Sequence, residues 1–210
     1  MHVPDGFISP HISLPAFAIA TPLWLLSIRK FLAADLPRVL PVIGSLTAVA
    51  FVIQSLMIPI PGGTSAHLAG CTLIAVLYNP LMAFLCETLV LLIQSLILGM
   101  GGITTLPINA LAIGFIGPLF GWLIYTVLRR FREKAALFVA GYVGMTVPAL
   151  VIACILGLQH VISEKHMPLP FSVILPAVAI PHLAVMGVLE GFYTMFGRAL
   201  LQKVMNLETS

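Results

Sequence analysis

Charge is scarce in this 210-residue chain: Lys and Arg together number 10, Asp and Glu 7, making 8% of residues charged. An ordinary soluble domain carries about a quarter, so that class is excluded. Cysteine is also thin. Cys71, Cys86 and Cys154 stand inside apolar runs with no CxxC spacing, which excludes a disulfide framework and reads as buried free thiols. No GxxxxGK[ST] loop occurs and no stretch is long enough for a nucleotide-binding domain, so the chain cannot hydrolyse ATP alone. There is no GxSxG turn, and Ser65 and His67 are too close in sequence to suggest a nucleophile and its base. No fixed-period repeat stands out. The first Lys or Arg is Arg29, so the basic n-region of a cleavable signal peptide is missing. Met1 is therefore expected to stay on the mature protein, and the bulk of His2 favours the same outcome.

What the chain has instead is apolar length. It is 60% hydrophobic with a mean hydropathy of +1.12. The apolar runs are continuous, not short and alternating, which points to an all-α polytopic membrane protein and not a barrel. Seven spans can be drawn, roughly 8–28, 39–60, 66–78, 81–99, 107–128, 136–157 and 173–201. The third is short for a crossing and could be tilted or re-entrant, with Asn79-Pro80 as its stop signal. One membrane domain over residues 1–210 is expected. Arg29, Lys30, Arg38, Arg129, Arg130, Arg132, Lys134, Arg198 and Lys203 all fall on one side of this topology, and Lys165 alone on the other. The positive-inside bias puts the N-terminus outside and the C-terminus in the cytoplasm.

The chain opens Met1-His2-Val3-Pro4-Asp5-Gly6. A free amine, the next amide nitrogen and that residue's imidazole Nδ1 can close a five- and a six-membered ring around one ion. Three nitrogens in a plane leave one position open. Such a set suits Ni(II) or Cu(II) better than Zn(II), which prefers a tetrahedron. The topology places the loop from Pro59 to His67 on the same side, so His67 is the candidate fourth ligand. Imidazole binds only when neutral and the amide must lose its proton, so affinity should fall in acid.

Other polar residues are weaker candidates. Glu87, His182 and Glu190 are ionisable groups within spans, functional suspects by default, with a satisfied helix–helix contact as the alternative. His160 and His166 read as solvated loop histidines. Met57, Met82, Met100, Met145, Met186 and Met195 form no thioether cluster and read as packing residues. Asn109 and Gln94 are placed to brace the Gly101-Gly102-Ile103-Thr104-Thr105 loop.

Three stretches carry a family resemblance: the N-terminal Met-His-x-Pro-Asp-Gly-Phe-x-Ser-Pro, the Gly-Gly-Thr-Ser-x-His-x-x-Gly around His67, and the Gly-Gly-Ile-Thr-Thr-Leu loop. With the Pro181-His182 and Glu190-Gly191 pairs, the whole chain resembles the CbiM/NikM family. These are substrate-binding membrane subunits (S components) of energy-coupling factor (ECF) transporters for nickel and cobalt. The resemblance implies seven transmembrane helices, a six-helix S-component core plus an extra N-terminal helix. It implies a metal site of Met1, His2 and His67, holding Ni(II) or Co(II) as substrate, with no prosthetic group. It also implies partners: a transmembrane coupling subunit, two cytoplasmic ABC-type ATPases and a small accessory membrane subunit. Met100 and Pro107 depart from the family's usual loop residues. Ala48, Ala50, Ala110, Ala112 and Gly114 are small enough to allow close packing or docking of the coupling subunit. The competing reading is a stand-alone, proton-coupled transporter or channel for divalent cations, with Glu87, His182 and Glu190 as its relay.

Overall fold

The computed structural model describes residues 1–60 and 64–208. In chain order it forms α1 (Pro10–Leu32), α2 (Leu36–Ser55), the strands β1 (Ile58–Ile60) and β2 (Thr64–Ala66), α3 (Cys71–Leu77), α4 (Pro80–Leu98), α5 (Leu106–Leu128), α6 (Glu133–Ile162) and α7 (Phe171–Val204). Among the described residues, six of these helices are long and apolar enough to cross a membrane: α1, α2, α4, α5, α6 and α7. The protein is an all-α polytopic membrane protein with one small hairpin added.

The third expected span is the exception. Of residues 66–78, only Cys71–Leu77 is helical. Seven residues rise about 10 Å, a third of the roughly 30 Å hydrocarbon core. The reason is local. Ala66 is paired to Ile58 in the antiparallel hairpin, and Gly70 turns the chain into α3 at a φ of +75°, a left-handed value that glycine adopts without cost. Asn79 then ends the excursion and starts α4. Its side-chain oxygen accepts from the Leu81 and Met82 amides at 3.1 and 3.2 Å, with Pro80 at the first helical position. Pro61, Gly62 and Gly63, two of them in the glycine motif, lie outside the described residues.

The long helix α6 is central, packed against α5 and along both halves of α7, while α3 is wedged among α4, α5 and α6. The approach is close because α6 carries glycine where α7 crosses. A Cβ on Gly141 would stand 2.5 Å from the Glu190 carbonyl oxygen. Three helices contain a widened π turn, at Gln94–Leu98 in α4, Ala110–Ile116 in α5 and His182–Met186 in α7. Such turns often mark functional positions, and here the last begins on His182.

Two sequence expectations need correction. Cys71 and Cys86 are buried, but Cys154 is exposed on α6, because the outer face of a membrane helix is as apolar as its inner one. Of the small residues considered for docking, Ala50, Ala110, Ala112 and Gly114 are buried inside the fold, and Ala48 alone is exposed. Ala48 helps to line an apolar groove of about 680 Å³ between α2 and α4. Pro107 is accommodated without distortion in the first turn of α5, where its missing N–H is not needed.

Candidate metal centre

The first nine residues do not hang free; they are laced into the helix ends. Val3 is held like a strand partner: its N–H donates to the Asn109 side-chain oxygen at 2.9 Å, and its carbonyl accepts from Asn109 Nδ2 at 3.1 Å and Thr105 Oγ1 at 2.6 Å. Ser9 donates from both its amide and its hydroxyl to Gln159 on α6, at 2.8 and 2.9 Å. Asp5 latches the tail to the 99–105 loop. Its carboxylate accepts from the Ile103 amide at 3.1 Å, the Thr104 amide at 2.9 Å and the Thr104 hydroxyl at 2.5 Å. The loop must be glycine beneath it: a Cβ on Gly102 would collide with the Asp5 carboxyl.

Partial burial works to raise the Asp5 carboxyl, but the hydrogen bonds from Thr104 and Ile103 win and hold it below the usual value. A depressed carboxyl contributes stability that is present above its unfolded pKa and is lost as pH falls through the folded one. Asp5→Asn is therefore expected to loosen the latch at neutral pH by about 1 kcal/mol, below the range for buried bonds to a charged group because solvent screens the exposed carboxylate. Hydrogen exchange at Ile103 and Thr104 is the measurement, with a fall in protection, taken against the free-amide rate at the same pH, that acid reproduces in the unaltered protein.

The lacing delivers Met1 and His2 to His67. All three are buried, at 0, 3 and 1% exposure. The Met1 amine donates to the Ser65 carbonyl and, at 3.3 Å, to the Ser65 hydroxyl, one strand residue from Ala66. The His2 and His67 rings stack with centroids 4.3 Å apart. His67 Nδ1 lies 2.8 Å from the Leu68 carbonyl, which makes Nδ1 the N–H donor and leaves Nε2 with its lone pair. That Nε2 is buried with no hydrogen-bond partner among the described residues. Ordinary packing does not leave such an atom unsatisfied without cost.

Charge is disfavoured at all three groups. Burial pulls the Met1 amine down to about 4. Burial, and then the adjacent amine charge, lower His2 to about 3 and hold His67 well below its ordinary value. The nitrogens are thus kept neutral, the form that binds metal. Two imidazoles at right angles on one ion, with bonds of about 2 Å, place their centroids about 4 Å apart. The separation fits. A face-on stack is not coordination, however, and the rings must turn for both to point at one ion. Among the described residues no three His, Cys, Asp or Glu side chains converge on a point. A crevice of about 280 Å³, lined by His2, Pro4, Met57, Pro59, Ser65 and the Gly99–Gly101 turn, leads to this cluster.

Beneath it is a polar layer that the sequence only partly disclosed. Gln54 Nε2 donates to the Ala69 carbonyl and to Glu87 Oε2, both at 2.8 Å, and its side chain also bonds the His2 ring. Glu190 accepts from the Ala69 and Gly70 amides at 2.9 and 2.8 Å. His182 Nδ1 is taken up by the Val178 carbonyl at 2.7 Å. Among the described residues, no hydrogen bond joins Glu87, His182 and Glu190 to one another. His160 and His166 are half-buried, not solvated, and brace the 163–167 turn through the Met167 carbonyl and Ser163 hydroxyl. Asn109 braces the N-terminal tail more than the loop, and the Gln94 side chain donates away from the loop, to Phe51 on α2. Met57 and Met100, read as packing residues, border the same crevice. Gln54 and Gln159 were missed, though each is a lone amide in an apolar run, a signal of its own.

Known proteins share this architecture. The chain matches the CbiM family, described as a cobalt uptake substrate-specific transmembrane region, over residues 2–207. It is 36% identical over 216 residues to a fused nickel transport protein of Rhodobacter capsulatus, covering 97% of this chain and 62% of that protein. A cobalt transport protein of Clostridium tetani is 27% identical over 197 residues, covering 93% of this chain and 81% of that one. A crystal structure of a truncated transition metal transporter superposes with a TM-score of 0.91 at 32% identity, covering 97% and 99% of the two chains. The chain thus belongs to the CbiM/NikM family, as a substrate-specific transmembrane component of nickel and cobalt uptake.

Proposed function

We propose that this chain captures one divalent metal ion, Ni(II) before Co(II), on four nitrogens: the Met1 amine, the His2 amide, His2 Nδ1 and His67 Nε2. The observation that carries the reading is His67, with Nδ1 committed to its own backbone and Nε2 buried and unsatisfied against the Met1-His2 pair. Four nitrogens with the amide ionised set a square plane, which suits Ni(II) best among the ions the family name offers. Cu(II) would bind still more tightly by the Irving–Williams order, so availability and cavity shape must discriminate against it.

On this reading the chain is a single membrane domain, a seven-helix S component in which α1 is the added N-terminal helix and α3 the short member. The N-terminus faces outward and the arginine-rich ends face the cytoplasm. The ion enters by the crevice at His2. Movement across the membrane is driven by partners: a coupling subunit, two ATPases and a small accessory subunit. The similarity to a fused nickel transport protein, 62% of which this chain spans, supports such an assembly. Among the described residues no hydrogen bond joins Glu87, His182 and Glu190 to one another, which favours metal capture over a stand-alone proton-coupled carrier.

The test is proton release. An ionised His2 amide requires at least about one proton to leave per ion bound at neutral pH. Calorimetric Ni(II) titrations in two buffers of different ionisation enthalpy should give that count at one ion per chain. Binding without proton release contradicts amide ligation.

A further inference from the structure

The segment that carries His67 is gripped two residues downstream by a side chain from the far end of the sequence. We propose that Glu190 is a positioning residue for the metal site: by holding the Ala69 and Gly70 amides it sets the His67 imidazole against Met1 and His2. The proposal rests on the four-nitrogen reading above.

Glu190 is fully buried in α7. Both of its oxygens accept, Oε2 from the Ala69 amide at 2.9 Å and Oε1 from the Gly70 amide at 2.8 Å. The left-handed Gly70, at a φ of +75°, turns two successive amides toward one acceptor pair, the geometry of a backbone nest. A carboxyl group can accept on both oxygens, whereas a primary amide would present an NH₂ to one of those N–H groups. No cation compensates it: the one ion pair among the described residues is the exposed Arg38–Asp35. A carboxylate buried without a cation is costly, so the two backbone bonds are what justify it.

The opposite face of the same peptide is held as well. The Ala69 carbonyl accepts from Gln54 of α2, whose amide is in turn fixed by Glu87 of α4. From Ala69 to His67 is two Cα steps of 3.8 Å each, with the intervening Leu68 carbonyl bonded to the His67 ring. A displacement at Glu190 therefore reaches the ligand through one short, fully bonded stretch of backbone. Because α7 sits on Gly141 of α6 at this level, the clamp also ties the position of His67 to α7. The metal centre and a long helix are mechanically one unit.

The experiment is a double-mutant cycle on the purified protein with Ni(II) as the probe, comparing the unaltered chain, Glu190→Gln, His67→Ala and both together. Affinity is read by chelator competition and ligand identity by the visible absorption band. Glu190→Gln is expected to weaken binding about 10–100-fold, as for other partners that orient a ligand. It should also shift the band to lower energy, toward that of His67→Ala, as water replaces imidazole. In the His67→Ala background the Glu190 change should add nothing. Losses that add, or an unshifted band, would overturn the proposal, since a general loss of stability leaves the colour of the bound fraction unchanged. If Glu190→Gln does not fold, Glu190→Asp keeps both acceptors on a shorter arm and must show the same coupled loss and shift. If His67→Ala itself binds normally, the four-nitrogen reading fails and takes this proposal with it; a weakened His67→Ala with an uncoupled Glu190 variant defeats the clamp alone.

Discussion

His67→Ala is expected to lower Ni(II) affinity by more than about 100-fold while the protein remains folded. Partners that merely orient a ligand cost 10–100-fold, and the loss of a ligand must exceed that. Structural damage should be small by comparison. His67 makes one hydrogen bond through its ring, a local one to Leu68, and its other nitrogen has no partner to lose among the described residues. Removing an unsatisfied buried polar atom relieves part of the cost of the cavity it leaves, so the stability change should stay within about 2 kcal/mol. His160→Ala is the matched control. Its imidazole is committed to the Met167 carbonyl, so the variant should bind Ni(II) as the unaltered protein does. Equal losses in the two variants would mean that histidine content, not the His67 position, governs binding.

The proposed donor set could be read from the sequence because its signal is positional. An amine, an amide and an imidazole on two adjacent residues make a chelate whatever the fold, and alternating spans put His67 on the same side. The membrane class was equally open, since continuous apolar runs report on solvent and not on tertiary contacts. At α3 length already marked the run as short for a crossing, but hydropathy did not show that the helix begins only at Cys71. The departure began at the hairpin and Gly70, whose pairing has no counterpart in an apolarity profile.

The tail lacing was least visible. Val3 with Asn109, Asp5 with Thr104 and Ser9 with Gln159 are bonds across about a hundred residues or more. No local pattern announces them. Gln54 and Glu190 were hidden for a related reason: a polar residue in a span signals a role, but its partner here is backbone, which sequence does not mark. Glu190 was suspected of an intramembrane contact with other side chains; it holds two amides of the loop instead.

An extension of two residues ahead of Met1 should have the largest effect of all; a single residue would put His2 third in the chain, where an amine, two amides and its imidazole make a square-planar chelate by themselves. It turns the Met1 amine into an amide, removes a strong donor, and breaks the five-membered ring that starts at that nitrogen. It must also find room where Met1 is 0% exposed against Ser65. No compensating side chain is at hand, because among the described residues no three metal-binding side chains converge. The damage should be confined to the site, since the tail is anchored independently at Val3, Asp5 and Ser9. The decisive measurement is therefore a Ni(II) titration, followed in the visible region, of the protein starting at Met1 and of the same protein two residues longer. The first should turn yellow and stay diamagnetic at one ion per chain, as a square-planar nitrogen set requires, and the second should show neither the colour nor tight binding. Tight binding with an unchanged spectrum in the longer protein would contradict a site built on the Met1 amine.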